Sequence, residues 1–171
     1  SGSNLIESAV GDKTYEAIEV NNVNNLQIGD PNGIKNTIIN YQYGIKSTAS
    51  DLTILHNDIS YFDGLVTTPT FCFPPCELPI NIYTAGDPSA VHALVVGGNS
   101  SAEYNTIDGG FYGIYAENNL SSYIDGNTFT NIHNPVILTK FDIPGYSVGN
   151  IIEINSNSIT DCLEGISVTA N

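Results

Sequence analysis

Five segments of this chain carry one pattern, and that pattern restricts the possible folds more than any other feature. They are "NTIINYQYGIKS" from Asn36, "NDISYFDGLVT" from Asn57, "NTIDGGFYGIYA" from Asn105, "NTFTNIHNPVIL" from Asn127 and "NSITDCLEGISV" from Asn157. An apolar residue follows each Asn by two: Ile38, Ile59, Ile107, Phe129 and Ile159. A turn residue follows by eight (Gly44, Gly113, Pro135, Gly165), with Gly64 one position early, and an apolar residue comes directly after it: Ile45, Leu65, Ile114, Val136, Ile166. Alternating apolar residues precede two of the Asn positions, Leu52 and Ile54 in one case, Ile152 and Ile154 in the other. Period-two alternation broken by Asn, Gly or Pro is the signature of short strands.

The Asn-to-Asn step is 21 residues from Asn36 to Asn57 and 22 from Asn105 to Asn127, lengthening to 30 before Asn157 and to 48 between Asn57 and Asn105. A repeat near 20 residues without helical periodicity points to a β-solenoid, in which no coil buries its inward face alone and stacking makes one continuous core. Asn36, Asn57, Asn105, Asn127 and Asn157 are then a structural ladder. Each side chain is placed to hydrogen-bond the neighbouring coil, and Asn tolerates the left-handed backbone of a corner. The glycines are expected to supply a second corner through positive φ.

The N-x-I…G-I pattern resembles the right-handed parallel β-helix repeats of the pectin lyase-like superfamily, including its inward asparagine ladder. The resemblance covers residues 33–169 and implies an all-β, right-handed parallel β-helix of about five to seven coils with long loop insertions. The chain of 171 residues reads as a single domain, 1–171, with residues 1–32 a first coil or cap and residues 67–92 a long loop insertion. The superfamily includes lyases, hydrolases, epimerases, adhesins and tailspikes, so fold alone does not assign an activity.

Composition narrows the partners. The net charge is −14 and the only basic residues are Lys13, Lys35, Lys46 and Lys140. Such a chain is repelled by phosphate backbones, which excludes nucleic acid as the expected partner and disfavours anionic lipid. No apolar run is long enough for a membrane span. With 41% hydrophobic and 13% charged residues, the chain is not of disordered type. It starts Ser1-Gly2-Ser3 and contains no methionine, as expected of a processed product or a piece of a longer protein. Cys72 and Cys76 bracket "CFPPC", for which a disulfide, free thiols and a metal site are the alternatives. The spacing across Pro-Pro and the distance of His56, His92 and His133 from it favour the disulfide, and with it a secreted or cell-surface location. Cys162, in an apolar pattern, reads as a buried small hydrophobe. No cofactor is expected beyond Ca²⁺, which surface carboxylates are able to hold, and no metal ligands are identified.

The enzymatic signatures of the superfamily are missing. A lyase of this kind takes a proton next to a uronate carboxylate with an Arg or Lys base and a cation to stabilise the charge. Here only lysines are available, and Lys46 and Lys140 fall at outward or post-strand positions. The paired aspartates and Gly-His-Gly of the polygalacturonase-like hydrolases have no counterpart.

The expected binding surface lies above "GFYGIYAENN". The long loop at 67–92 and the loop at 139–150 would leave from one corner and wall a notch there, with Phe71 and Phe73 packing the long loop onto the body. Tyr112 and Tyr115 would point outward in it beside Glu117, Asn118 and Asn119, with Tyr43 on the same face two coils away, a set suited to a sugar ring. The expected protein is an extracellular, non-enzymatic, adhesin-like or structural module, with a polysaccharide or cell-surface glycan as partner and self-association or neighbouring domains at the solenoid ends. The alternative is a polysaccharide lyase or glycoside hydrolase with atypical catalytic residues.

Overall fold

A computed structural model describes residues 4–7, 16–65, 78–87, 90, 92–119, 121–139 and 151–169, with backbone only for 62–65. The expected Cys72–Cys76 disulfide, Phe71, Phe73, Lys13 and Lys140 lie outside the described residues. The described residues form strands and connecting turns.

The strands come in successive triplets. The first is β1 (Leu5–Glu7), β2 (Glu16–Asn21) and β3 (Leu26–Ile28); the second is β4 (Asn36–Ile39), β5 (Tyr43–Thr48) and β6 (Leu52–Ile54). Then follow β7 (Asn57–Leu65), β8 (Ile80–Ala85) and β9 (Ala93–Gly97), and β10 (Thr106–Gly110), β11 (Tyr112–Glu117) and β12 (Ser121–Asp125). After β13 (Thr128–Thr130), β14 (Asn134–Thr139) and β15 (Ile151–Asn155) come β16 (Ser158–Thr160) and β17 (Ile166–Thr169). Corresponding strands pair in parallel. The first sheet runs β1-β4-β7-β10-β13-β16, the second β2-β5-β8-β11-β14-β17 and the third β3-β6-β9-β12-β15. The protein is all-β, with three stacked parallel sheets in the arrangement of a parallel β-solenoid.

The inward positions stack in register. Ile38, Ile59, Ile107, Phe129 and Ile159 are successive partners in the first sheet. Ile45, Ile82, Ile114, Val136 and Ile166 align in the second, and Ile54, Val96, Ile124 and Ile154 in the third. All but the last of each row are buried, and each such side chain contributes about 1.5–3 kcal/mol. In the β16–β17 coil, Ile159, Leu163, Ile166 and Val168 are exposed.

Asn36 Nδ2 donates to Asn57 Oδ1 at 2.9 Å, Asn57 to Asn105 at 3.1 Å, Asn105 to Asn127 at 2.9 Å and Asn127 to Asn157 at 3.1 Å. Backbone bonds reinforce the row: Asn57 and Asn105 give their second contacts to Ile28 and Ile54 carbonyls.

Five sequence expectations are corrected. The left-handed residue at this corner is not the ladder Asn but the one before it: His56 (φ 58°), Gly126 (φ 68°) and Ser156 (φ 53°). Gly44 and Gly113 lie inside strands and serve close approach instead of positive φ: a Cβ on Gly44 would lie 2.7 Å from the Asn81 carbonyl oxygen, and one on Gly113 2.5 Å from that of Pro135. The stretch 67–92, expected as one loop, contains β8. Leu65 pairs with Gly110 in the first sheet, and Ile82, not Leu65, takes the inward place beside Ile45 and Ile114. The insertion is 66–79, between the first and second sheets, whereas 140–150 connects the second sheet to the third. The two insertions leave from different corners and do not share the expected one.

Candidate functional site

The outward face of the second sheet begins with an irregularity in alternation. In β11 both Gly113 and Ile114 are buried, so the pattern slips by one and Tyr112 and Tyr115, three residues apart, reach the same side. Their rings meet at 5.1 Å, edge to face. The same slip at Gly44 and Ile45 in β5 brings Tyr43 alongside Lys46, whose ammonium lies 5.1 Å from the ring centre.

Tyr83 joins these into one stripe. It sits in register with Lys46 on one side and Tyr115 on the other. Its ring stacks on Tyr115 at 5.9 Å with an 18° tilt and meets Tyr43 edge-on at 5.7 Å. Beyond Tyr112 the contacts continue to Phe111 at 4.7 Å and from Phe111 to His133 at 4.3 Å. Phe111 is buried, so it anchors the end of the row, while Tyr43, Tyr83, Tyr112 and Tyr115 are all partly accessible. Aromatic rings with one wet edge and one apolar face, repeated about every 4.8 Å along stacked coils, make a continuous, partly accessible strip.

The electrostatics of the strip are muted. Lys46 Nζ is 2.5 Å from Glu16 Oε1, and that hydrogen bond holds the ammonium above its ordinary pKa against the opposing effect of burial. Burial raises the Tyr112 phenol, helped by Tyr115 and Glu164. Both groups therefore stay protonated across the neutral range, and the strip carries hydroxyls and a neutralised lysine.

The expected polar rim is only partly assembled. Glu117 is half-buried at the end of β11, aligned with Ala85 and Thr139. Asn118 turns the corner with φ 55° and gives its backbone N–H to the Thr139 carbonyl at 3.1 Å. Asn119 is buried, and its Oδ1 accepts from Thr84 Oγ1 at 2.8 Å, so its side chain is turned away from this surface. Cys162 is half-buried against the core, and burial pushes its thiol up. Lys35 is engaged by Asp58 at 2.8 Å and Thr106 at 2.9 Å. Among the described residues no group of three or more His, Cys, Asp or Glu is placed to hold a metal, and no helix is long and apolar enough to cross a membrane.

Tyr83 is the residue that sequence reasoning missed. The signal was present, since Ile80, Ile82 and Thr84 alternate around it, but the segment was absorbed into the expected loop. Compared with protein-family models, with curated proteins and with solved structures, the chain matches none.

Proposed function

We propose that this chain is an extracellular, non-enzymatic β-helix module, right-handed and pectin lyase-like in kind, that holds a glycan along the outer face of its second sheet. The observation that carries this is the unbroken row of partly accessible rings from Tyr43 through Tyr83 to Tyr115 and Tyr112. Pyranose rings present apolar faces to such rings and hydroxyls to their edges. The net charge of −14, with Lys46 neutralised by Glu16, favours neutral over acidic polysaccharides. The secreted or cell-surface location is supported by the spacing of Cys72 and Cys76.

The test is retention on a panel of neutral and acidic polysaccharides, with and without Ca²⁺, together with assay of soluble products. Neutral polymers are expected to retain the protein without product, and Tyr83→Ala and Tyr115→Ala each to weaken retention by roughly three- to tenfold. New unsaturated or reducing ends would instead establish the alternative, a lyase or hydrolase.

A further inference from the structure

The order of the rings on the second sheet limits the shape of any chain that lies on them. Two columns run along the face. Tyr43 and Tyr112 are both register partners of Ile80, one on each side of it, so they stand two strand spacings apart, about 9.6 Å, with a buried isoleucine between them. Lys46, Tyr83, Tyr115 and Ile137 follow one another in the second column at single spacings.

Ring orientation follows the same interval. Tyr83 and Tyr115 are nearly parallel, at 18°, whereas Tyr43 is turned 64° from Tyr83 and Tyr112 is turned 63° from Tyr115. Along the solenoid axis the face thus presents a turned ring, a stacked pair and a second turned ring. The run is bounded at both ends. Beside Tyr43 the Lys46 ammonium is tied to Glu16. Past Tyr112 the first column continues with Asn134, which is buried and has its Nδ2 2.7 Å from His133 Nδ1. Across the strands, β11 alone of these three offers two tyrosines, since β5 pairs Tyr43 with Lys46 and β8 pairs Ile80 with Tyr83. A chain along the axis covers all four rings.

A glycan matches this order only if it is straight. In a β-1,4-linked chain of glucose or mannose the linkages leave opposite ends of each ring. The chain extends, successive rings turn over, and the same ring face returns at every second residue. A β-1,3- or α-1,4-linked chain bends at each linkage and coils, so a ring set on one tyrosine carries the next rings away from the surface. On a straight chain the turned rings meet apolar sugar faces, and the edges of the stacked pair meet hydroxyls.

We propose, resting on the glycan reading of this face, that the chain held there is a neutral, extended β-1,4-linked glycan lying along the solenoid axis. Its consecutive residues sit on Tyr43, over Tyr83 and Tyr115, and on Tyr112. The experiment is calorimetric titration of the whole chain with cellobiose, cellotriose and cellohexaose, and with laminarihexaose (β-1,3) and maltohexaose (α-1,4). Cellotriose is expected to bind about tenfold more tightly than cellobiose, with cellohexaose gaining no more than about fivefold beyond it. Both coiled hexasaccharides are expected to bind at least about tenfold more weakly than cellohexaose. Tyr43→Leu and Tyr112→Leu keep an apolar side chain at partly buried positions, and each is expected to bring cellotriose down to the level of cellobiose. Coiled chains bound as tightly as cellohexaose, equal affinity for cellobiose and cellotriose, or a folded Tyr43→Leu that binds cellotriose like the parent would each overturn the extended-chain inference and leave the glycan reading standing. No heat with any of the sugars, together with no retention on the polysaccharide panel, would overturn both.

Discussion

The side-chain amide of Asn105 donates to Asn127 Oδ1 at 2.9 Å, and the backbone N–H of Asn105 points to the same oxygen at 3.3 Å. Asn105 in turn accepts from both the backbone and the side chain of Asn57, at 2.9 and 3.1 Å. It has no exposure to solvent. One amide thus fixes the register of three coils where water cannot substitute.

Asn105→Ala is therefore expected to be severe. It strands the Asn57 N–H and the Ile54 carbonyl in a dry corner and costs about 3 kcal/mol or more, a fall of roughly 6–12 °C in melting temperature. Asn36→Ala removes a half-buried member of the same row and is expected to cost about 1 kcal/mol. Thermal melts followed by circular dichroism would check the pair, and equal losses would mean that the ladder does not act through burial.

Glycines of the repeat separate in the same way. Gly113 has the Pro135 carbonyl oxygen 2.5 Å and the Phe129 ring 3.1 Å from where a Cβ would sit. Gly165 occupies the matching place in the β16–β17 coil, and a Cβ there meets nothing within 4 Å. Gly113→Ala is expected to destabilise by about 2 kcal/mol or more and Gly165→Ala by less than about 0.5 kcal/mol, read from urea unfolding midpoints.

This contrast also shows which parts of the fold were legible. Spacing alone located the first- and second-sheet strands at Asn36, Asn105, Asn127 and Asn157, because the corners between those strands are short and keep the Asn-to-Gly interval at eight. In the coil that starts at Asn57, "DGL" imitates the corner one residue early, while β7 continues along the first sheet and β8 begins only at Ile80. Tyr83 was lost with β8, and with it the continuity of the strip. The purpose of the glycines was hidden for another reason: close approach depends on the coil stacked above, which a linear pattern does not show. Tyr112 and Tyr115 are expected to point outward together, yet strict alternation would put residues three apart on opposite faces; the two successive buried positions, Gly113 and Ile114, are what bring their rings into contact on one side.

The strip also predicts an alkaline dependence of stability. Tyr112 and Lys46 both have pKa values raised above their ordinary 10.0 and 10.5, the first chiefly by burial and the second chiefly by the Glu16 hydrogen bond. A raised value means that the native state holds its proton more tightly than the unfolded chain, so the associated stability is intact below the unfolded pKa and is lost as pH rises through the folded one. Melting temperature is expected to be insensitive to these two groups at pH 7–9 and to decline from about pH 10 upward. Tyr112→Phe should flatten the decline while leaving neutral-pH stability nearly unchanged. Lys46→Met should lower stability at pH 7 by no more than about 1 kcal/mol, since the pair is partly exposed and screened, and should also reduce the slope above pH 10. Melts of the three proteins between pH 7 and 11 would check this, and a decline in both Tyr112→Phe and Lys46→Met as steep as in the parent would assign the alkaline dependence to groups outside the strip.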